Sequence, residues 1–178
     1  MQEAKRIEGT ELVAAIRKIG EAIWRDHAGT KDLVIVGIAD GGIGFGQALA
    51  RDLQKRTKRD IRYGTVNITF HRDDIARKPI PKPTRRTQLP LDIEGANIIL
   101  ADDVIFTGRS VRAAINEIFD QGRPACVQLA ILCDRGNRRL PIQPNYLGFC
   151  ENTTPEQNVV LEMDPDALNA SSLCIYNP

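Results

Sequence analysis

The feature that most constrains this chain is the stretch NIILADDVIFTGRS at residues 97–110. Residues 97–101 form a short apolar run of the kind found in buried parallel strands. Asp102 and Asp103, here called the acid pair, follow at the predicted carboxyl end of that strand, and the next residues lead into a helix. Because ligands of open parallel sheets bind outside the carboxyl ends of the strands, we expect a ligand site at this point.

The turn after the acid pair has the composition of a phosphate-binding site. Residues 107–110, here called the phosphate loop, would present consecutive backbone N–H groups, and the helix N-terminus would add positive potential. The predicted ligand is a phosphorylated ribose, with the acid pair near its hydroxyl groups or near a hydrated Mg²⁺. The alternative is an ordinary strand with two surface aspartates. The residues expected to contact the ligand are Val104, Ile105, Phe106, Thr107, Gly108, Arg109 and Ser110.

Apolar strands alternate with amphipathic helices along the chain, which predicts an α/β fold with a mainly parallel sheet flanked by helices. Helices are expected at 10–27, from the glycine-rich turn at 40–44 to about residue 56, and at 109–121. Strands are expected at 33–38, 61–70, 97–101, 125–133, 146–150 and 159–162. The proline-rich segment 71–90 suits neither and predicts a mobile flap. No linker divides residues 1–178, so one domain is expected.

Several classes of protein are disfavoured. No apolar run approaches the roughly 18 residues of a membrane span, and the charged N-terminus does not resemble a signal peptide, so no membrane association and a cytoplasmic location are expected. The four cysteines lack a CxxC spacing and the two histidines are far apart, which argues against a zinc site or a His-centred triad. Neither GxxxxGK[ST] nor GxGxxG occurs, which disfavours kinases and Rossmann dehydrogenases.

The chain resembles the type I phosphoribosyltransferases, and more narrowly the bifunctional pyrimidine-operon attenuation protein/uracil phosphoribosyltransferase family. The resemblance covers nearly the whole chain and rests on DDVIFTGRSVRAA from residue 102, ITFHRDD from residue 68, GRP from residue 122 and DRGNRRLPI from residue 134. It implies the type I phosphoribosyltransferase fold, with a flap and a small hood. It also implies a Mg²⁺-dependent reaction of 5-phosphoribosyl 1-pyrophosphate (PRPP) with uracil, giving UMP and pyrophosphate. A homodimer or larger assembly is implied as well.

The resemblance also assigns roles to individual residues. The acid pair would be catalytic and would hold Mg²⁺, and Arg72 would act with the flap in closing over the site. A solvated flap charge is the alternative for Arg72. Asp134 and Arg135 follow a predicted strand and would border the base pocket, although a structural turn would explain them equally well.

Two positions bear on the choice of base and on the rate. Phe106 stands where purine-salvage relatives carry an aspartate that can handle a ring proton, which favours uracil. The turn Ala39, Asp40, Gly41 and Gly42, here called the pyrophosphate turn, lacks the hydroxyl and the arginine usual in the family. The charge of Asp40 is expected to weaken binding of the polyanion and to slow turnover.

Two other functions stay open at this point. An RNA-binding attenuation regulator with weak or no transferase activity would use basic residues on pyrimidine-operon messenger RNA. A nucleotide sensor whose chemistry has decayed is the third possibility, favoured by Asp40. A solvated helix face would explain the first basic cluster. The candidate RNA contacts are the basic residues of 51–59 with Arg62, and Arg77, Lys78, Lys82, Arg85 and Arg86 of the flap.

Overall fold

The computed structural model describes residues 2–69, 86–90 and 92–178, and these form two β-sheets and three α-helices. One sheet is parallel with strand order β3-β2-β4-β5-β6, and the other is antiparallel with order β1-β8-β7. The elements are β1 (Gln2–Glu8), α1 (Gly9–Asp26), β2 (Leu33–Ile38), α2 (Gly42–Thr57), β3 (Arg62–Val66), β4 (Asn97–Ile105), α3 (Arg109–Gln121), β5 (Cys126–Asp134), β6 (Tyr146–Cys150), β7 (Asn158–Glu162), a 3-10 helix (Leu168–Ala170) and β8 (Ser172–Asn177).

The parallel sheet is apolar because helices cover both of its faces. Every residue of β2 is buried, as expected for a central parallel strand. Helices α1 and α2 pack on one face, and α1 contributes a stripe of buried residues at helical spacing that includes Leu12, Ile16 and Ile19. Helix α3 packs on the other face. The α/β architecture predicted from the alternation of elements is therefore confirmed.

Strand β4 is longer than the sequence predicts, and this changes the setting of the acid pair. The prediction ended the strand at residue 101, whereas β4 continues to Ile105 because β5 pairs with it along that length. Asp102 lies opposite Ile131 and is a strand residue. The predicted strand at 61–70 is, in turn, too long, because β3 ends at Val66. The acid pair thus sits on a backbone fixed by a neighbouring strand.

The antiparallel sheet, here called the hood sheet, corresponds to the small hood that the resemblance implies. Its central strand β8 and its edge strand β1 were not predicted from the sequence. Six of the seven β1 residues are exposed and only Ile7 is buried, so the strand shows no alternation of apolar and polar residues. Pairing with β8 at the far end of the chain forms this strand, and no local pattern reports such pairing.

Most of the predicted flap lies outside the described residues, which resume at 86. Within 86–90, Gln88 forms an isolated bridge to Thr65, with both backbone N–H···O distances at 2.8 Å. The chain therefore returns beside β3 before it enters β4. Within the described ranges, no helix is both long enough and apolar enough to cross a membrane.

Candidate active site

The acid pair lies near the carboxyl end of β4, the central strand of the parallel sheet. Asp102 is buried, with 7% of its surface exposed, and Asp103 is partly buried. The Asp103 N–H donates to Asp102 Oδ1 at 3.1 Å, and the Val104 N–H donates to Asp103 Oδ1 at 2.7 Å. One oxygen of each carboxylate is therefore fixed by the strand's own backbone.

Burial perturbs both carboxyl groups. It raises the pKa of Asp102 well above its usual range, and the neighbouring charge of Asp103 raises it further. Burial likewise raises the pKa of Asp103. A pair of buried, mutually repelling carboxylates is stabilised by hydroxyl donors or by a cation, so the acid pair is suited to sugar hydroxyls or to Mg²⁺.

The donor set fits a metal that arrives with the substrate. Among residues 2–69, 86–90 and 92–178, no cluster of three or more His, Cys, Asp or Glu side chains forms a metal cage. Mg²⁺ commonly takes only one or two protein carboxylates and completes its shell with water and substrate phosphate oxygens. The acid pair can supply such carboxylates.

The pyrophosphate turn packs directly on the acid pair. A Cβ atom on Gly41 would lie 2.5 Å from Asp103 Oδ2, and one on Gly42 would lie 2.3 Å from the Ala101 carbonyl oxygen. At Gly42 the contact is with the backbone of β4, so only glycine allows this approach, whereas Gly41 faces the Asp103 carboxylate. The peptide bond between Ala39 and Asp40 is cis, and the Asp40 side chain is exposed. The structure thus brings together two sites that the sequence places about sixty residues apart.

Two helix N-termini open at the same edge of the sheet. Helix α2 follows β2 and helix α3 follows β4, and these strands are neighbours. The residues preceding the two helices are Gly41 and Gly108, so neither helix has a side-chain cap from that position, and neither has an acidic residue in its first turn. Gly108 has φ +88°, a conformation that favours glycine. Both helix ends have the character of anion sites.

The predicted ligand contacts of residues 104–106 have mixed surroundings. Val104 and Ile105 belong to β4, the Val104 N–H is bound to Asp103, and the Ile105 side chain is buried. Phe106 follows the strand and is partly exposed. At the helix entrance, the Arg109 N–H lies 3.4 Å from Thr107 Oγ1. The contacts of these residues with a ligand remain predictions.

Arg135, which the sequence analysis predicts at the base pocket, makes several hydrogen bonds within the protein. Only 8% of its surface is exposed, and burial lowers its pKa. Its guanidinium donates to Thr153 Oγ1 at 2.8 Å and to the carbonyl oxygens of Thr154 and Gln157 at 2.8 and 2.7 Å. It also lies 4.3 Å from the centroid of the Phe106 ring. Through this stack, Arg135 fixes the side chain that precedes the phosphate loop.

Asp134 and Arg138 form a neighbouring contact that the sequence analysis did not single out. Asp134 Oδ1 accepts the Gly136 N–H at 2.9 Å, and its Oδ2 pairs with Arg138 Nη2. Arg138 Nη1 also donates to the Phe106 carbonyl at 2.6 Å. This last contact joins residues 32 apart in sequence, so the only available signal was the DRGNRRLPI block itself.

The candidate RNA-binding residues are only partly described. Arg51 donates to Asp166 at 2.6 Å and Arg56 to Asp52 at 2.6 Å. Arg59 lies 5.4 Å from the Trp24 ring centroid. These arginines already have intramolecular partners. Arg62 donates to the Asp92 carbonyl, Arg86 is exposed, and the predicted residues Arg72, Arg77, Lys78, Lys82 and Arg85 lie outside the described residues.

Comparison with known proteins agrees with this geometry. The Phosphoribosyl transferase domain family matches residues 5–166. The Bifunctional protein PyrR of Geobacter sp. (strain M21) is 39% identical over 160 residues, covering 90% of each chain. That of Ralstonia nicotianae is 44% identical over 139 residues, covering 78% of this chain and 77% of the relative.

Solved structures share the fold at low sequence identity. The hypoxanthine phosphoribosyltransferase of Trypanosoma cruzi has a TM-score of 0.69 and 18% identity, covering 100% of this chain and 97% of that one. A hypoxanthine-guanine phosphoribosyltransferase from Bacillus anthracis has a TM-score of 0.63 and 19% identity, covering 90% and 88%.

Proposed function

Because the chain belongs to the phosphoribosyl transferase domain family and, within it, to the bifunctional PyrR proteins, we propose that it transfers the phosphoribosyl group of PRPP to uracil and regulates pyrimidine genes. The observation that carries the enzymatic proposal is the packing of the pyrophosphate turn against the acid pair, between two helix N-termini. PRPP has a phosphate, a diol and a pyrophosphate, and this edge of the sheet offers a complementary group for each.

The proposed binding mode follows from the position of each group. Backbone N–H groups of the phosphate loop and the α3 N-terminus bind the 5′-phosphate. The acid pair accepts hydrogen bonds from the ribose hydroxyls, and these bonds compensate for the solvation lost through the burial that raises the pKa of Asp102 and Asp103. The N–H groups at the start of α2 face the pyrophosphate. These contacts together hold the ribose in one orientation.

The transfer step needs negative charge beside the sugar and positive charge beside the leaving group. Departure of pyrophosphate leaves oxocarbenium character on the ribose, and the carboxylates of the acid pair stabilise it electrostatically. Mg²⁺, held by the acid pair or by the substrate oxygens, would supply charge neutralisation at the pyrophosphate. The phenyl ring of Phe106 supplies no acid or base, which suits uracil better than a purine that exchanges a ring proton.

Turnover is proposed to be slower than in relatives with a hydroxyl in the pyrophosphate turn. Asp40 is exposed at the start of α2, where its carboxylate would oppose the charge of the pyrophosphate. Asp40 also keeps a second candidate function open, a nucleotide sensor that binds PRPP without turnover.

The decisive experiment measures pyrophosphate release from PRPP and Mg²⁺ with uracil, hypoxanthine and guanine in parallel. Uracil is expected to support release, and the purines are expected to support little. Chelation of Mg²⁺ with EDTA should abolish the reaction. If PRPP binds measurably but no base supports release of pyrophosphate, the enzymatic proposal is wrong and the nucleotide sensor is favoured.

The regulatory role is proposed to involve pyrimidine-operon messenger RNA bound in the presence of UMP by a homodimer or larger assembly. The arginines of α2 have carboxylate or carbonyl partners, which RNA phosphates would have to displace. Fluorescence anisotropy with labelled leader RNA, at 50 and 200 mM salt and with or without UMP, tests the proposal. Binding that is absent, or insensitive to UMP, would count against the regulator. Light scattering tests the assembly.

A further inference from the structure

Arg138 lies in the loop between β5 and β6 and has no role in the chemistry proposed above. Its side chain is only 14% exposed, and that of its partner Asp134 is 13% exposed. Its guanidinium makes three separate contacts: Nε donates to the Ile142 carbonyl at 3.0 Å, Nη1 to the Phe106 carbonyl at 2.6 Å, and Nη2 to Asp134. A partly buried arginine with its donors in a fixed fork holds its acceptors in one geometry.

The carbonyl groups of Phe106 and Thr107, at the start of the phosphate loop, are both held by the loop between β5 and β6. Besides the Phe106 carbonyl, the Thr107 carbonyl accepts the N–H groups of Arg139 and Leu140 at 3.1 and 3.2 Å. The Leu140 and Ile142 side chains also lie within 3.5 Å of the position of a Cβ on Gly108. The β5–β6 loop therefore forms the back of the phosphate loop.

Holding the carbonyls fixes the direction of the N–H groups. In a trans peptide unit, the C=O and the N–H point in opposite directions. With the Phe106 carbonyl bound to Arg138, the Thr107 N–H faces away from the β5–β6 loop. The Gly108 N–H does the same because the Thr107 carbonyl is bound. A peptide free to rotate would instead turn a carbonyl oxygen toward a bound phosphate, which repels it.

We propose that Arg138 is a positioning residue that orients the phosphate loop for the 5′-phosphate of its ligand, without touching that ligand. The inference rests on the proposed binding of a 5-phosphorylated ribose at this loop. It predicts that removal of the Arg138 guanidinium selectively weakens the binding of phosphorylated sugars, because its hydrogen bond to the Phe106 carbonyl orients the peptide at the start of the phosphate loop.

The test compares Arg138→Met with the wild type in two measurements. Calorimetry with ribose 5-phosphate reports on the phosphate loop and the acid pair without the base or the pyrophosphate, and we expect the Kd to rise about 10-fold or more, the effect of losing a charge-assisted hydrogen bond. In the transferase assay, the KM for PRPP should rise by a similar factor, while the KM for uracil changes much less. A role limited to folding would lower the melting temperature and leave both constants unchanged.

Two further variants complete the test. Arg138→Lys keeps the charge but cannot span three acceptors, so affinity for ribose 5-phosphate should be intermediate. Arg123→Met removes one exposed positive charge at the opposite edge of the sheet and should leave binding unchanged.

Each outcome separates the inference from the proposed function. If wild type binds ribose 5-phosphate and folded Arg138→Met binds it equally well, the inference is wrong and the proposed function stands. If Arg138→Met does not fold, wild-type affinity in Arg138→Lys has the same meaning. A wild-type protein that binds neither ribose 5-phosphate nor PRPP overturns both.

Discussion

Gly42 is a position beside the acid pair where one added methyl group should destabilise the fold. A Cβ there would lie 2.3 Å from the Ala101 carbonyl oxygen and 3.0 Å from Asp102 Cα. Both are backbone atoms of β4, and the first distance is about 1 Å short of ordinary van der Waals contact. Because β4 is paired on both sides, it cannot move aside freely. We expect Gly42→Ala to lower the free energy of unfolding by about 1–3 kcal/mol, as overpacking does.

A matched control is available on the same helix. A Cβ on Gly44 would lie 3.5 Å from the nearest atoms, Met163 Cβ and Cγ, which is ordinary contact. Gly44→Ala should therefore be neutral or stabilising by up to ~1 kcal/mol, through the higher helix propensity of alanine.

Urea denaturation of the two variants and the wild type measures the difference directly. For a chain of this size, each kcal/mol also corresponds to a shift in melting temperature of about 2–4 °C. Equal stability of Gly42→Ala and Gly44→Ala would refute the reasoning, because it would mean that α2 does not rest on β4 as described.

Three further predictions concern the site. Burial raises the pKa of Asp102 above its ordinary value of 3.8, so ionisation of Asp102 destabilises the folded state as pH rises above that value. Asp102→Asn should therefore melt higher than wild type at pH 8, and this difference should shrink as pH falls and vanish well below pH 3.8, while transferase activity falls. Equal melting temperatures at pH 8 would contradict this. Asp40→Thr should lower the KM for PRPP at least severalfold by removing a charge from the pyrophosphate turn, measured by steady-state kinetics; an unchanged constant would mean that the carboxylate lies away from the ligand. Phe106→Leu should reduce the free energy of unfolding by about 1 kcal/mol in urea, since it removes the ring that stacks on Arg135, and no loss would show that the stack is energetically neutral.

Local sequence patterns predicted the parts of the fold that depend on burial within one element. The bounds predicted for β2, α3 and β6 agree with the structure because each is a compact apolar or amphipathic segment between turn residues. Strands β1 and β8 were missed because they pair with each other across nearly the whole chain. The length of β4 was underestimated because two acidic residues within a strand resemble the start of a turn.

The same division applies to the candidate site. Residue types that suit phosphate and sugar chemistry singled out the acid pair, and the family resemblance singled out the pyrophosphate turn; their contacts with a ligand stay predictions. Their mutual packing could not be predicted from the sequence, because it depends on the order of strands in the sheet. The roles of Arg135 and Arg138 depend on hydrogen bonds to backbone carbonyl groups, and any residue supplies a carbonyl.

The stack of Arg135 on Phe106 has a mechanical consequence. The carbonyl groups that hold Arg135 belong to residues 154 and 157, immediately before β7 of the hood sheet. The guanidinium of Arg135 therefore links the segment that leads into the hood sheet to the Phe106 ring, which precedes the phosphate loop. A tilt of the hood sheet relative to the parallel sheet would either move that ring with it or break two short hydrogen bonds, so the hood sheet and the Phe106 ring are expected to move as one unit.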